Sequence, residues 1–333
     1  MSNQQFTAMQ VSESADGKYQ RAIIQRGTDE LPAGELLIRV RYSSLNFKDA
    51  LSATGNKGVT RNYPHTPGID AAGVVEASES SDFKAGDEVI VTGFDLGMDT
   101  AGGFGQYIRI PAGWALQKPE GFDLHAAMVY GTAGFTAALS VAGLVSRDVS
   151  PDDGPILVTG ASGGVGSVAV GILARAGYSV TAVTGKEDQH DFLKALGAAE
   201  VTGRDAVDDP KGKPLLKEQW AGAVDTVGGA ALVNVLKSLH YGGTATCCGL
   251  VASPKMDGAT VLPFILRGVS LLGIDSVQVP LAKRPPLWNK LASEWRVPAL
   301  EQRARTVSLQ DLDPEIDRIL AGQQVGRVVV SLD

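Results

Sequence analysis

A chain of 333 residues is long for one compact core and favours two domains, while 44% hydrophobic and 20% charged residues are ordinary globular values. A formal charge of −7, with no clustered basic stretch, speaks against a nucleic-acid partner. Only two cysteines occur, the neighbours Cys247 and Cys248, the start MSNQQFTAMQ lacks the pattern of a signal peptide, and no run of about eighteen apolar residues is read, so no membrane span is expected and the sequence reads as a soluble, cytoplasmic protein without disulfides.

Up to about residue 125 the chain reads as short strands punctuated by turn residues. ELLIRVRYSSL (35–45) alternates apolar and polar side chains, AAGVVEA (71–77) follows Pro67-Gly68, and DEVIVTG (87–93) follows Ala85-Gly86. Strands so spaced predict a barrel or a strongly bent sheet. LHAAMVYGTAGFTAALSVAGL (124–144) predicts a helix interrupted at Gly131 and Gly134. Strand and helix then alternate: ILVTG (156–160), GSVAVGILARAG (166–177), SVTAVTG (179–185), DQHDFLKALGA (188–198), AGAVDTVG (221–228), AALVNVLKSLH (230–240) and GTATCCG (243–249). That alternation predicts a doubly wound parallel sheet. GRVVVSLD (326–333) reads as a strand returning to the first domain. The expected class is α/β, with a β-rich domain over 1–128, completed by about 300–333, and a dinucleotide-binding domain over 129–299.

A dinucleotide turn needs small residues at spacing 0, 2 and 5, for a tight turn, for backbone approach to the pyrophosphate and for helix–strand packing. Ala161, Gly163 and Gly166 satisfy it between a predicted strand and a predicted helix, whose N-terminus would face the phosphates. A glycine-rich turn alone is weak, but this one sits inside several strand–helix units. Where an NAD site carries a carboxylate at the end of the second strand, this chain has Thr184, Gly185 and Lys186. Losing a negative charge and gaining a cation suits a 2′-phosphate, so NADP(H) is expected, with Glu187 as the dissenting residue.

No metal is expected. The first domain has no cysteine and only His65 and His125, while His190 and His240 fall in predicted helices. Reduction of an activated C=C, or of a quinone, needs no Lewis acid. Hydride reaches the β-carbon, charge moves to the carbonyl oxygen where hydrogen-bond donors hold it, and a proton completes the α-carbon.

SSLNFKDAL (43–51), PHTPGIDAAGVV (64–75), GDEVIVTG (86–93), GGFGQYIRIP (102–111), GTAGFTA (131–137), VTGASGGVGS (158–167), VDTVGG (224–229), CCGL (247–250), PFILRGVSLLGIDSV (263–277) and GRVVV (326–330) together resemble the zinc-free medium-chain dehydrogenase/reductase family. Within it they resemble the acrylyl-CoA reductase group, also labelled quinone oxidoreductases. The resemblance implies a GroES-like first domain, a Rossmann second domain and a cleft between them. By motif position it places Ser162, Gly163, Gly164 and Val165 at the pyrophosphate. Thr184, Gly185 and Lys186 fall around the 2′-phosphate, with Arg204 as a second cation or a plain loop arginine. Phe47, Thr132, Leu250, Ile265 and Ser276 fall on the nicotinamide side. Lys186 stands where an arginine is expected and lacks its bidentate fork. Phe47 in place of tyrosine cannot be an essential acid.

Asn46 and Asp49 are the candidate catalytic groups, Asn46 toward a carbonyl or amide and Asp49 orienting Lys48 or a water; their other reading is that they cap a loop. Lys57, Arg61, Lys283 and Arg284 are candidate contacts for coenzyme A phosphates. The expected activity is NADPH-dependent reduction of a short 2-enoyl-CoA, acrylyl-CoA giving propionyl-CoA. Alternatives are a quinone reductase and, from another class, a non-catalytic NADPH-binding sensor. GVSLLGIDSV (268–277) reads as an edge strand that could pair two copies into a homodimer, or as a buried strand.

Overall fold

The computed structural model describes residues 3–333. In chain order they form β1 (Gln5–Glu13), β2 (Tyr19–Gly27), β3 (Leu36–Ser44), α1 (Phe47–Ser52), β4 (Asp70–Ser78), β5 (Glu88–Thr92), β6 (Tyr107–Ile110), β7 (Ala115–Gln117) and α2 (Leu124–Val145). Then come β8 (Ile156–Val158), α3 (Gly164–Arg175), β9 (Val180–Val183), α4 (His190–Ala195), β10 (Glu200–Thr202), β11 (Trp220–Asp225), α5 (Gly229–Ser238) and β12 (Leu239–Cys247). The chain closes with α6 (Leu262–Arg267), β13 (Ser270–Gly273), α7 (Pro285–Ala292), α8 (Pro298–Glu301), β14 (Arg305–Ser308), α9 (Leu312–Leu320) and β15 (Val328–Ser331). Two compact units emerge: residues 1–132, 277–292 and 303–333 in the first, and 133–276 and 293–302 in the second. Residues 277–292 thus belong with the first unit.

The first unit holds a sheet in the order β14-β15-β3-β4-β5-β7, with β6 also paired to β3, beside the separate β1–β2 hairpin. Only β14–β15 is parallel in this sheet. Side chains alternate across a strand, and β3 shows why both its faces are apolar. Leu36, Ile38 and Val40 join the main core with Val328 and Val330 of the returning strand, whereas Leu37 joins Phe6, Ala8 and Tyr107.

The second unit is one parallel sheet in the order β10-β9-β8-β11-β12-β13. Counted along the chain that is 3-2-1-4-5-6, the doubly wound order of dinucleotide-binding folds, with its switch point between β8 and β11. All six residues of β11 are buried, as a central parallel strand requires. β13 closes one edge and is only half-buried.

Three expectations are corrected. His240 lies in β12, not in a helix. The chain continues helically through Gly134, and the single break in α2 is at Gly131, whose φ is 50°. A window within α2 is also long and apolar enough to cross a membrane by length and composition, contrary to the reading of the bare sequence. Most of that window is buried inside the protein, so its apolar character is accounted for by the core.

Candidate functional site

In the second unit β8 ends at Val158 and the chain turns through 159–163 into α3, with Gly163 as the N-cap. Gly163 N–H donates to the Gly160 carbonyl at 3.0 Å. A Cβ on Gly166 would lie 2.3 Å from the Gly160 oxygen and 2.8 Å from Ala161 Cα, so only glycine lets α3 sit this close to the turn. The first N–H groups of a helix have no partner within it and carry its positive end. Here those groups belong to Gly164, Val165 and their neighbours, at the switch point, which is the chemistry a pyrophosphate needs. Ser162 is buried and its Oγ lies 3.0 Å from Thr184 Oγ1, joining the turn to the end of β9.

The switch point has a buried tie that sequence reasoning missed. Asp225, fully buried at the end of β11, accepts from Thr159 Oγ1 (2.7 Å) and from Gly228 N–H (2.7 Å). Thr226 Oγ1 donates to the Thr159 carbonyl at 2.8 Å. A lone carboxylate ending an apolar strand, as in AGAVD, was the available signal, since buried charge demands partners. Burial holds the Asp225 carboxyl above its ordinary range, against the pull of the Thr159 and Gly228 bonds.

At the end of β9, Thr184 Oγ1 accepts from Lys186 N–H at 3.1 Å. The Arg204 guanidinium lies across Gly185: a Cβ there would meet Arg204 Nε at 2.5 Å and Cζ at 2.7 Å. Arg204 is exposed and Lys186 half-buried. Burial lowers the Lys186 ammonium, Asp188 opposes that shift, and the charge of Arg204 adds to it. Two cations close enough to repel each other beside a threonine and a bare glycine backbone form a place for a dianion. The geometry therefore fits a dinucleotide bearing a 2′-phosphate.

In the first unit Asn46 and Asp49 face inward. Asn46 caps α1, and Asp49 Oδ2 accepts from Asn46 N–H at 2.8 Å and from Asn46 Nδ2 at 3.2 Å. Asp49 Oδ1 accepts from Ile69 N–H at 2.8 Å, and the side chain is fully buried. These contacts are those of a cap that fixes α1, whose first residue is the half-buried Phe47. Burial and then the nearby Asp70 carboxylate push Asp49 up to about 7, against the N–H bonds it accepts.

Asp70 and Arg327, both unassigned from sequence, complete this cluster. Asp70 Oδ2 accepts from Asn46 Nδ2 (2.8 Å) and Thr132 N–H (2.9 Å), and its Oδ1 accepts from Thr132 Oγ1 (2.6 Å). Arg327, 2% exposed, donates to the carbonyls of Val129 (2.8 Å) and Leu45 (3.3 Å), to Asn46 Oδ1 (3.3 Å) and to Ser44 Oγ (2.9 Å). A Cβ on Gly131 would lie 2.5 Å from Asp70 Oδ2 and 2.6 Å from Ser44 Oγ. The break at Gly131 is thus what lets Thr132 reach the carboxylate. Both acidic and basic residues stood inside quoted motifs, GID and GRVVV, but nothing in those strings says that they meet.

The remaining predicted residues divide. Ser276 is buried and its Oγ accepts from Thr136 Oγ1 at 2.7 Å. Leu250 and Ile265 are well exposed. Arg284 is corrected as a phosphate contact: it is 1% exposed, donates to the carbonyls of Thr92, Val277 and Val279, and lies 4.2 Å over the Phe94 ring. Lys57 pairs with Glu13 at 2.8 Å and sits over Tyr63. Arg61 and Lys283 are exposed. Among the described residues no three His, Cys, Asp or Glu side chains group as metal ligands.

A doubly wound sheet with a phosphate turn, together with a unit built on a largely antiparallel sheet, is the two-part arrangement of a dinucleotide-dependent oxidoreductase. Residues 32–120 match the alcohol dehydrogenase GroES-like domain, and residues 164–293 match the family described as zinc-binding dehydrogenase. The chain is 45% identical over 329 residues to the acrylyl-CoA reductase AcuI of Ruegeria pomeroyi, covering 98% of this chain and 99% of that one. The YhdH oxidoreductase of Salmonella enterica, solved with NADP, superposes with a TM-score of 0.95 at 42% identity, covering 99% of this chain and all of that one. Bacillus subtilis YhfP, solved with NAD, gives a TM-score of 0.95 at 44% identity over 99% and 100% of the two chains. The protein belongs to the medium-chain dehydrogenase/reductase family.

Proposed function

We propose that this protein uses NADPH to reduce the conjugated C=C of a short 2-enoyl-CoA, acrylyl-CoA giving propionyl-CoA. The observation that carries the reading is the 45% identity to an acrylyl-CoA reductase along essentially the whole of both chains. NADPH, when bound, supplies the hydride. The chain's own part is to hold and orient. Ser162, Gly163, Gly164 and Val165 take the pyrophosphate at the N-terminus of α3. Thr184, Gly185, Lys186 and Arg204 take the 2′-phosphate. Phe47, Thr132, Leu250, Ile265 and Ser276 serve the nicotinamide side. Asn46 and Asp49 act by fixing α1 and so Phe47, and the proton that completes the product comes from water. The same reading makes the protein a cytoplasmic homodimer, with β13 and α6 as the pairing face.

Initial rates of NADPH oxidation with acrylyl-CoA and with a benzoquinone test this directly. Because the YhfP structure carries NAD, NADH is the necessary parallel arm. Fast turnover of acrylyl-CoA with NADPH, and slow turnover with NADH, is the expected outcome. Turnover of the quinone alone would make the protein a quinone reductase. Tight NADPH binding without turnover of either acceptor would make it a binding protein.

A further inference from the structure

Four donors converge on the Asp70 carboxylate. Ser44 Oγ (2.5 Å), Asn46 Nδ2 (2.8 Å) and Thr132 N–H (2.9 Å) donate to Oδ2. Thr132 Oγ1 donates to Oδ1 at 2.6 Å, and the Thr132 N–H is also 3.1 Å from that oxygen. Two of the four are nitrogens that can only donate. Ser44 Oγ accepts from Arg327 Nη2 at 2.9 Å, which turns its own proton toward Asp70. The Thr132 hydroxyl proton completes the set. A hydroxyl has one proton and two lone pairs, so with that proton committed to Asp70 the Thr132 oxygen can serve a further partner only as an acceptor. Ser44, Asn46, Asp70 and Arg327 are buried, whereas Thr132 is half-exposed and is the last residue of the first unit before the chain enters the second.

We propose that Asp70 is a positioning residue: it fixes the Thr132 hydroxyl as a hydrogen-bond acceptor, and that acceptor receives the N–H of the nicotinamide carboxamide. The inference rests on the reading that places Thr132 on the nicotinamide side, and it is independent of which acceptor is reduced. A carboxamide has a donor end, its NH2, and an acceptor end, its carbonyl oxygen. A hydroxyl free to rotate would take either end. One whose proton is held by a buried carboxylate takes the NH2 end and repels the carbonyl, and so selects one rotation of the amide. The Arg327–Ser44–Asp70–Thr132 chain runs in a single direction, each donor polarising the next.

The same geometry says what a nearly isosteric change at Asp70 does. In Asp70→Asn the amide oxygen must take the Oδ2 position, because an NH2 there would face the donors of Ser44, Asn46 and Thr132. The NH2 then occupies the Oδ1 position and faces Thr132 Oγ1, which has to accept from it. The hydroxyl proton of Thr132 is released to turn outward, and the acceptor becomes a donor. Thr132→Val removes the oxygen altogether but keeps the backbone N–H on Asp70, and Thr132→Ser keeps both.

Calorimetric Kd values of the full chain for three ligands test this without turnover. They are NADP+, its 3-acetylpyridine analogue, in which a methyl replaces the carboxamide NH2, and 2′,5′-ADP, which lacks the nicotinamide. The preference of the native protein for NADP+ over the acetyl analogue should fall about fivefold in Thr132→Val, the worth of one neutral hydrogen bond, and return in Thr132→Ser. Affinity for 2′,5′-ADP should stay within about twofold throughout. A fall in preference below about threefold, or an equal loss of 2′,5′-ADP binding, overturns the proposal. Folded Asp70→Asn should lose the preference as Thr132→Val does, and its retention there overturns the part given to Asp70. The Thr132 pair decides the matter even if Asp70→Asn does not fold. The expected discrimination without turnover of acrylyl-CoA would remove the enoyl-CoA reading and leave this inference standing, and turnover without discrimination would do the reverse. Failure to bind either NADP+ or 2′,5′-ADP would remove both.

Discussion

The Arg204 guanidinium lies against Gly185, the residue between Lys186 and Thr184, which stands where an NAD site would carry its carboxylate. In the proposed site this pair would meet the cofactor far from the reacting carbon, so it would contribute equally to ground state and transition state and should act on KM alone. A hydrogen-bonded charge contact of this kind is worth ~1.5–3 kcal/mol. Arg204→Ala is therefore expected to raise KM for NADPH by roughly 10- to 100-fold while leaving kcat and the NADH parameters near their native values. Steady-state kinetics with both cofactors checks it, and an unchanged KM for NADPH would remove Arg204 from the site. The Thr184-Gly185-Lys186 segment was legible because its information is local: three consecutive residues declare a missing carboxylate and an added cation. Asn46 and Asp49 were not. Their identity marks them as polar groups beside a helix start, but whether a carboxylate looks inward or outward depends on Asp70, Thr132 and Arg327, which are close only in the fold.

Elements whose signal is periodic burial were legible, and those held by pairing alone were not. The predicted strands 35–45, 71–77 and 87–93 correspond to β3, β4 and β5, all of which bury apolar side chains. The β1–β2 hairpin escaped because YQRAIIQRG exposes or half-exposes eight of its nine residues and is defined by its register with β1. His240 was misassigned because α5 runs straight into β12 with no turn residue between Ser238 and Leu239. What welds the first unit at this level is Arg327, which bonds the end of β3, the cap of α1 and the helix preceding Gly131 from a position beside β15. Burial lowers its guanidinium pKa, and Asp70 and then Asp49 oppose that shift. Removing one member of a buried charged cluster leaves the others uncompensated, at a cost of ~3–5 kcal/mol. Arg327→Met should lower stability by about that amount, read as a fall in the urea midpoint. A change under ~1 kcal/mol would show that the carboxylates do not depend on it.

At the scale of the whole molecule, the second unit leaves apolar side chains exposed in and beside α6. Val251, Val261 and Leu266, none of them assigned to the cofactor, are each more than half exposed. Two of them, Val261 and Leu266, lie beside or in α6, the helix that leads into β13. Single exposed apolar residues are ordinary, but apolar side chains left bare on a helix that leads into an open edge strand suit an interface. Among the described residues β13 pairs only with β12, so the backbone groups of its other side are open to a strand. A second copy satisfies both needs at once, because two identical edges related by a two-fold axis pair antiparallel and bring their α6 surfaces together. Sedimentation equilibrium should accordingly give twice the chain mass at micromolar concentration. Val261→Asp with Leu266→Asp, both outside the residues assigned to the cofactor, should weaken association at least 100-fold by placing unpaired charge in the contact. If the native chain sediments as a monomer at every concentration, β13 is a plain edge strand and the homodimer falls. If the double variant remains dimeric, the pairing face lies elsewhere on the molecule and α6 has no part in it.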